Sequence, residues 1–83
     1  MQVNVKYRSH LAELTKAAGE SVEAATVKDV LRHIKTRFGA DAEKLAKTMI
    51  IAVNGQSVLH LALFKTALKD GDEVSFLPIC GGG

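Results

Sequence analysis

Apolar and polar residues alternate at every step through Met1-Gln2-Val3-Asn4-Val5-Lys6-Tyr7-Arg8. That period of two is the pattern of a half-buried strand. Leu11, Leu14 and Ala18 then recur at helical spacing, with Ser9 placed to cap the helix and Gly19 placed to end it. Glu20 to Ala24 alternates again and is predicted as a second strand paired with the first. Thr26 opens the main helix, where Asp29 approximates a capping box. Val27, Val30, Leu31, Ile34 and Phe38 make one continuous apolar stripe, and Gly39 closes it. Asp41 to Lys47 is a weaker helical turn anchored by Leu45.

Met49-Ile50-Ile51-Ala52-Val53 is an apolar, β-branched run that ends at Asn54-Gly55. Both central positions of a type I′ turn need positive φ, so this dipeptide signals a hairpin with Gln56-Ser57-Val58 as the return strand. Leu59-His60-Leu61-Ala62-Leu63-Phe64 fits either a strand continuation or a helical turn. Lys69 to Asp72 is a turn, and Glu73 to Leu77 is the last strand, stopped by Pro78, which cannot donate to a ladder. The expected class is α+β: a mixed sheet of four to five strands packed on one main helix, as a two-layer roll.

Eighty-three residues make one domain, read as a folded unit over 1–78 and a glycine tail over 79–83. The net charge of +2 comes from 11 basic and 9 acidic residues mixed along the chain, which argues against a dedicated nucleic-acid binder. No signal peptide and no membrane span is visible, so a soluble cytoplasmic protein is expected. Cys80 is the only cysteine, so the chain cannot close a disulfide on itself.

Little in the folded part offers chemistry. His10, His33 and His60 have neither the spacing nor the cysteines of a zinc site, and no metal or cofactor is implied. No glycine-rich phosphate loop follows a strand, and no serine has a nucleophile-elbow context. Lys28, Arg32 and Lys35 form a basic stripe on the main helix, read first as a solvated face and second as a docking surface for an acidic partner. Cys80 is read as a tolerated residue, since nothing in its local sequence would lower its pKa.

The tail is the more informative stretch. Gly81-Gly82-Gly83 carries no Cβ, so it cannot pack a core, but it makes a thread thin enough for a narrow channel. It could present a terminal carboxylate to a buried active site. A carboxylate is a poor electrophile until activated, so chemistry there implies an ATP-using partner. Leu77 should lie on the face of the last strand opposite Val74 and Phe76, and an apolar residue exposed beside a tail suggests a partner surface. Tyr7 extends that patch if the first and last strands pair, and Val58 and Pro78 complete the candidates. All are equally compatible with the ordinary edge of a core.

Several of these pieces fall together in an order that resembles the ubiquitin-like sulfur carriers of β-grasp fold. The likeness is greatest to the small subunit of molybdopterin synthase, with the thiazole-pathway sulfur carrier as a cousin. The matching pieces are Val3 to Tyr7, Leu11 to Thr15, Thr26 to Leu31, Ala52-Val53-Asn54-Gly55, Leu68 to Val74, and Phe76-Leu77-Pro78 before the glycines. The resemblance implies that an E1-like enzyme adenylates the terminal carboxylate with ATP. A persulfide donor then supplies sulfur, leaving a thiocarboxylate that the large subunit of molybdopterin synthase uses on a pterin precursor. By position the reactive carboxylate falls on Gly83, with Gly82 and Gly81 in the channel, and Tyr7 and Leu77 fall at partner contacts.

The resemblance also implies a carrier that is not catalytic alone and that needs neither nucleic acid nor membrane. Family tails usually end in two glycines, so which of the three is activated stays open. Sulfur delivery to thiazole, tRNA or an amino acid, conjugation to target lysines, and an inert interaction module are the alternatives.

Overall fold

A computed structural model describes residues 1–58 and 65–79 of the chain. Its elements are β1 (Gln2–Tyr7), α1 (Ser9–Thr15), β2 (Gly19–Glu23), α2 (Val27–Phe38), α3 (Ala40–Thr48), β3 (Ile50–Val53), β4 (Gln56–Ser57) and β5 (Glu73–Leu77). The ambiguous segment Leu59–Phe64 and the tail from Cys80 to Gly83 lie outside the described residues.

The five strands form one mixed sheet in the order β2-β1-β5-β3-β4. β1 runs antiparallel to β2 and parallel to β5, and β5 runs antiparallel to β3. Strand alternation sends Val3, Val5 and Tyr7 of β1 and Val74 and Phe76 of β5 to one face, where all are buried. The stripe of α2 (Val27, Val30, Leu31 and Ile34) is buried too, in one apolar cluster with these strand residues.

Local chemistry sets the element ends. Thr26 accepts from the Asp29 amide while the Asp29 carboxylate accepts from the Thr26 amide, a complete capping box. Asn54 and Gly55 both take positive φ, 52° and 83°, as the hairpin requires. The Asn54 side chain then donates to Asp72 at 2.9 Å and accepts from the Glu73 amide at 2.9 Å, tying this hairpin to the start of β5. Asp72 is held below the usual carboxylate range by that Asn54 bond first and by the Lys69 amide next.

Four local expectations are corrected, the first being both ends of α1. Ser9 does not cap α1; Arg8 occupies the N-cap without a side-chain bond, and Ser9 itself has φ 55°. α1 ends at Lys16 in the left-handed region, well before Gly19. Gly19 lies in β2 opposite Lys6, where a Cβ would stand 2.6 Å from the Val5 carbonyl oxygen, so close backbone approach explains the glycine. The second correction concerns Leu14, which is 49% exposed, leaving α1 to bury Leu11 and Thr15. Thirdly, α3 buries Ala42 and Ala46 and leaves Leu45 only half-buried, because short side chains let it approach α2. Fourthly, Tyr7 is 1% exposed and belongs to the core face rather than to an open patch. The parity of β1 decides this, since Tyr7 is two and four residues from the buried Val5 and Val3 and opposite Phe76.

Candidate functional site

β5 delivers the chain to the tail. It pairs with β1 on one side and β3 on the other, so the Glu73–Leu77 backbone is held centrally and leaves the sheet at a fixed place. Leu77 lies opposite Ile50 in the antiparallel β3–β5 register, so both point away from the core. Ile50 is 39% exposed, and Pro78 and Ile79 beyond it are exposed, Ile79 by 66%. Lys6, in register with Ser75, brings an exposed cation to the same face.

The result is a small apolar ledge at the root of the tail. Pro78 and Ile79 also border a cleft of about 260 Å³, whose far wall is built by Ser9 and His10 of α1 and by Leu45, Thr48 and Met49.

The expected partner residues divide accordingly. Leu77 and Pro78 belong to this ledge. Val58 packs partly buried against the core cluster, and its amide bonds to the Ile51 carbonyl, so it does not extend the patch. Tyr7 reaches the opposite side of the sheet. Ile50 and Ile79 were not among the expected site residues. Ile50 sits in the continuous apolar run Met49 to Val53, in which composition does not separate exposed from buried positions, although alternation against Ile51 was available as a signal. Gly81, Gly82 and Gly83 lie outside the described residues.

Tyr7 is the centre of a separate polar cluster that closes the core. Its hydroxyl donates to Glu20 at 2.6 Å, while His33 contacts the same carboxylate oxygen at 3.0 Å and Arg37 the other at 3.4 Å. Burial and the Glu20 hydrogen bond push the Tyr7 phenol far above its ordinary value. Burial pulls Glu20 upward, but the bonds from Tyr7 and His33 and the charge of Arg37 outweigh it and hold the carboxyl below its usual value. The Phe38 ring meets Tyr7 edge-on at 5.8 Å and Arg37 lies over it at 5.5 Å. This cluster clamps β1, β2 and α2 together and offers no open reactive group.

Among the described residues no group of three or more His, Cys, Asp or Glu could hold a metal ion. Among them, too, no helix is long and apolar enough to cross a membrane.

A mixed sheet, a helix across one face and a C-terminal strand running parallel to the first describe a ubiquitin-like β-grasp. The model of the ThiS family matches residues 5–83. The chain belongs to the ThiS family. Members of that family include ubiquitin-like sulfur carriers, and the wider likeness agrees. A curated relative, small archaeal modifier protein 3 of Haloferax volcanii, is 38% identical over 65 residues, covering 71% of each chain. A solved structure of a putative molybdopterin converting factor subunit 1 from Pyrococcus furiosus has TM-score 0.73 at 28% identity, covering 96% of this chain and 99% of that one. A complex of subunits 1 and 2 of molybdopterin-converting factor from Helicobacter pylori contains a chain with TM-score 0.73 at 25% identity, with both chains fully covered. The proteins this chain resembles thus include one named as a modifier and subunits of molybdopterin converting factor.

Proposed function

We propose that this ThiS-family protein is a sulfur carrier for molybdenum- or tungsten-cofactor synthesis, acting as the small subunit of a molybdopterin synthase. The observation that carries the reading is the placement of Leu77, Ile50, Pro78 and Ile79 as an exposed apolar ledge where the chain turns into the tail. An apolar surface there gives a partner something to grip while the thread of glycines enters its active site. Gly81, Gly82 and Gly83 serve as that thread.

The Gly83 carboxylate attacks the α-phosphate of ATP bound to an E1-like enzyme, releasing pyrophosphate and forming an acyl-adenylate. A persulfide sulfur attacks the acyl carbon and AMP leaves. A thiol then reduces the acyl disulfide, and the sulfur stays on Gly83 as a thiocarboxylate. The carrier itself supplies no catalytic group; it supplies the reacting terminus and the docking ledge. The large subunit of the synthase binds the charged tail and takes its sulfur.

A second reading is favoured by the relative whose name is that of a modifier. There the same acyl-adenylate would pass to lysines of target proteins.

Intact mass of the protein from its own host, before and after alkylation of any thioacid, separates the two. Cys80→Ser serves as the control, because that thiol alkylates as well. A single oxygen-to-sulfur replacement at Gly83 supports the carrier. A carboxylate that stays unmodified with activating enzyme, ATP and sulfur donor present, alongside slower gel bands abolished by lysine blocking, would replace it with the modifier. Gly82→Ala adds a methyl to the thread and is expected to abolish transfer while leaving the thermal midpoint unchanged; normal transfer would sink the channel argument.

A further inference from the structure

The basic stripe on α2 does not face open solvent alone. Gly39, at φ 101°, turns the chain sharply from α2 into α3, and the short Ala42 and Ala46 let the two helices pack closely. The longer side chains on either side then stand over the seam. They enclose a cleft of about 330 Å³ with Lys28, Arg32 and Lys35 on one wall, Glu43 and Lys47 on the other, and Leu31 at its floor.

Four cations meet one carboxylate here, a local excess larger than the net charge of +2 on the entire chain. Arg32 has Asp29 at 3.7 Å, and Lys47 has Glu43 at 3.9 Å. Among the described residues, neither Lys28 nor Lys35 has a carboxylate within ion-pairing distance. A field of this kind attracts and orients an oppositely charged partner.

We propose that this α2–α3 cleft docks an acidic, extended segment of a partner protein. Three features select that occupant. Lys28, Arg32 and Lys35 run along about 10 Å of helix axis, with about 6 Å between the first two. Carboxylates on alternate residues of an extended peptide repeat at nearly that interval, about 6.5 Å. The cations are exposed and spread in a row rather than gathered around one point, which suits a line of carboxylates better than a single small anion. The lining contains no aromatic ring on which a nucleic-acid base could stack.

The cleft lies on the helical side of the molecule, while Leu77 and Ile50 lie on the far face of the sheet. An acidic segment can therefore sit in it while another protein holds the tail. This inference is independent of what chemistry the tail performs.

The test uses the full chain and a fluorescent acidic peptide of alternating Glu and Leu with an Asp-rich flank. Amide shifts on titration are expected to fall on α2 and α3 and to leave the β3–β5 edge unmoved. Lys28→Glu combined with Lys35→Glu should weaken the peptide by roughly tenfold or more, because like charges then face each other. A Lys16→Glu and Lys69→Glu pair, which changes the total charge equally at a distance, should have less than about a twofold effect under screening at physiological salt. Lys28→Gln with Lys35→Gln should weaken binding to an intermediate degree while keeping α2 helical by circular dichroism. Shifts that map to the sheet face, equal weakening by the distant pair, or tighter binding of single-stranded RNA to the same cleft would each overturn the proposal.

Discussion

The two faces of the sheet are made by alternate residues of the same strands, yet they do different work. On the inner face Val3, Val5, Tyr7, Val74 and Phe76 are all buried under α2. On the outer face Gln2, Asn4, Lys6 and Glu73 stay exposed along most of the sheet. Where β5 leaves, that face carries larger apolar side chains, at Leu77 and Ile50. Apolar surface that no core requires, placed beside the tail proposed to carry the chemistry, marks a surface suited to binding rather than to stability.

The largest effect should come from breaking the inner face. Phe76→Ala removes a fully buried ring that packs against Tyr7 at 6.3 Å, and is expected to cost about 3–5 kcal/mol. Small domains have only about 5–15 kcal/mol in total, so this variant should be close to unfolding. A denaturant titration reads it directly, and a loss under about 1 kcal/mol would show that the inner face is not the stabilising one.

A smaller effect is expected at the clamp over that face. Glu20 is held below its unfolded value of 4.5, so the stability it contributes is complete above that pH and is lost as pH falls through the lower folded value. Glu20→Gln keeps a hydrogen-bond acceptor for Tyr7 but loses the charge facing Arg37 and His33, at a cost of about 1 kcal/mol near neutrality. The gap between the two proteins should close as the solution is acidified below about pH 4. A gap that widens in acid would mean the carboxylate is not stabilised by its neighbours.

The outer face should show the least effect on stability and a clear one on association. Leu77→Ser is expected to shift stability by no more than about 1 kcal/mol, since Leu77 is only half-buried. Adenylation by the cognate activating enzyme, followed by pyrophosphate exchange, should fall by roughly tenfold if the ledge contributes an anchor. Unchanged exchange would remove the ledge from the docking surface.

Much of this arrangement is legible in the sequence alone. The alternation of β1, the stripe and capping box of α2, the Asn54-Gly55 hairpin and the last strand stopped before Pro78 each depend on residues close in sequence. Period and turn chemistry are local properties, so they can be read locally. The unusual ending in three glycines needed no structure to notice either.

What only the tertiary structure decided concerns which face each residue takes and what stands across from it. Leu77 acquires Ile50 as its neighbour through the β3–β5 register, between residues 27 apart in the chain. Tyr7 turns inward because β1 is sandwiched with its partners under α2, and its hydroxyl donates to Glu20 of β2, whose carboxylate His33 and Arg37 of α2 also contact. Gly19 is required by the approach of the Val5 carbonyl, a contact with nothing in its own sequence neighbourhood to announce it. The basic stripe of Lys28, Arg32 and Lys35 becomes one wall of a cleft only because α3 folds back on buried alanines. Periodicity names the residues that must share a side. Pairing and packing, which depend on distant parts of the chain meeting, decide which side becomes core and which is left for a partner.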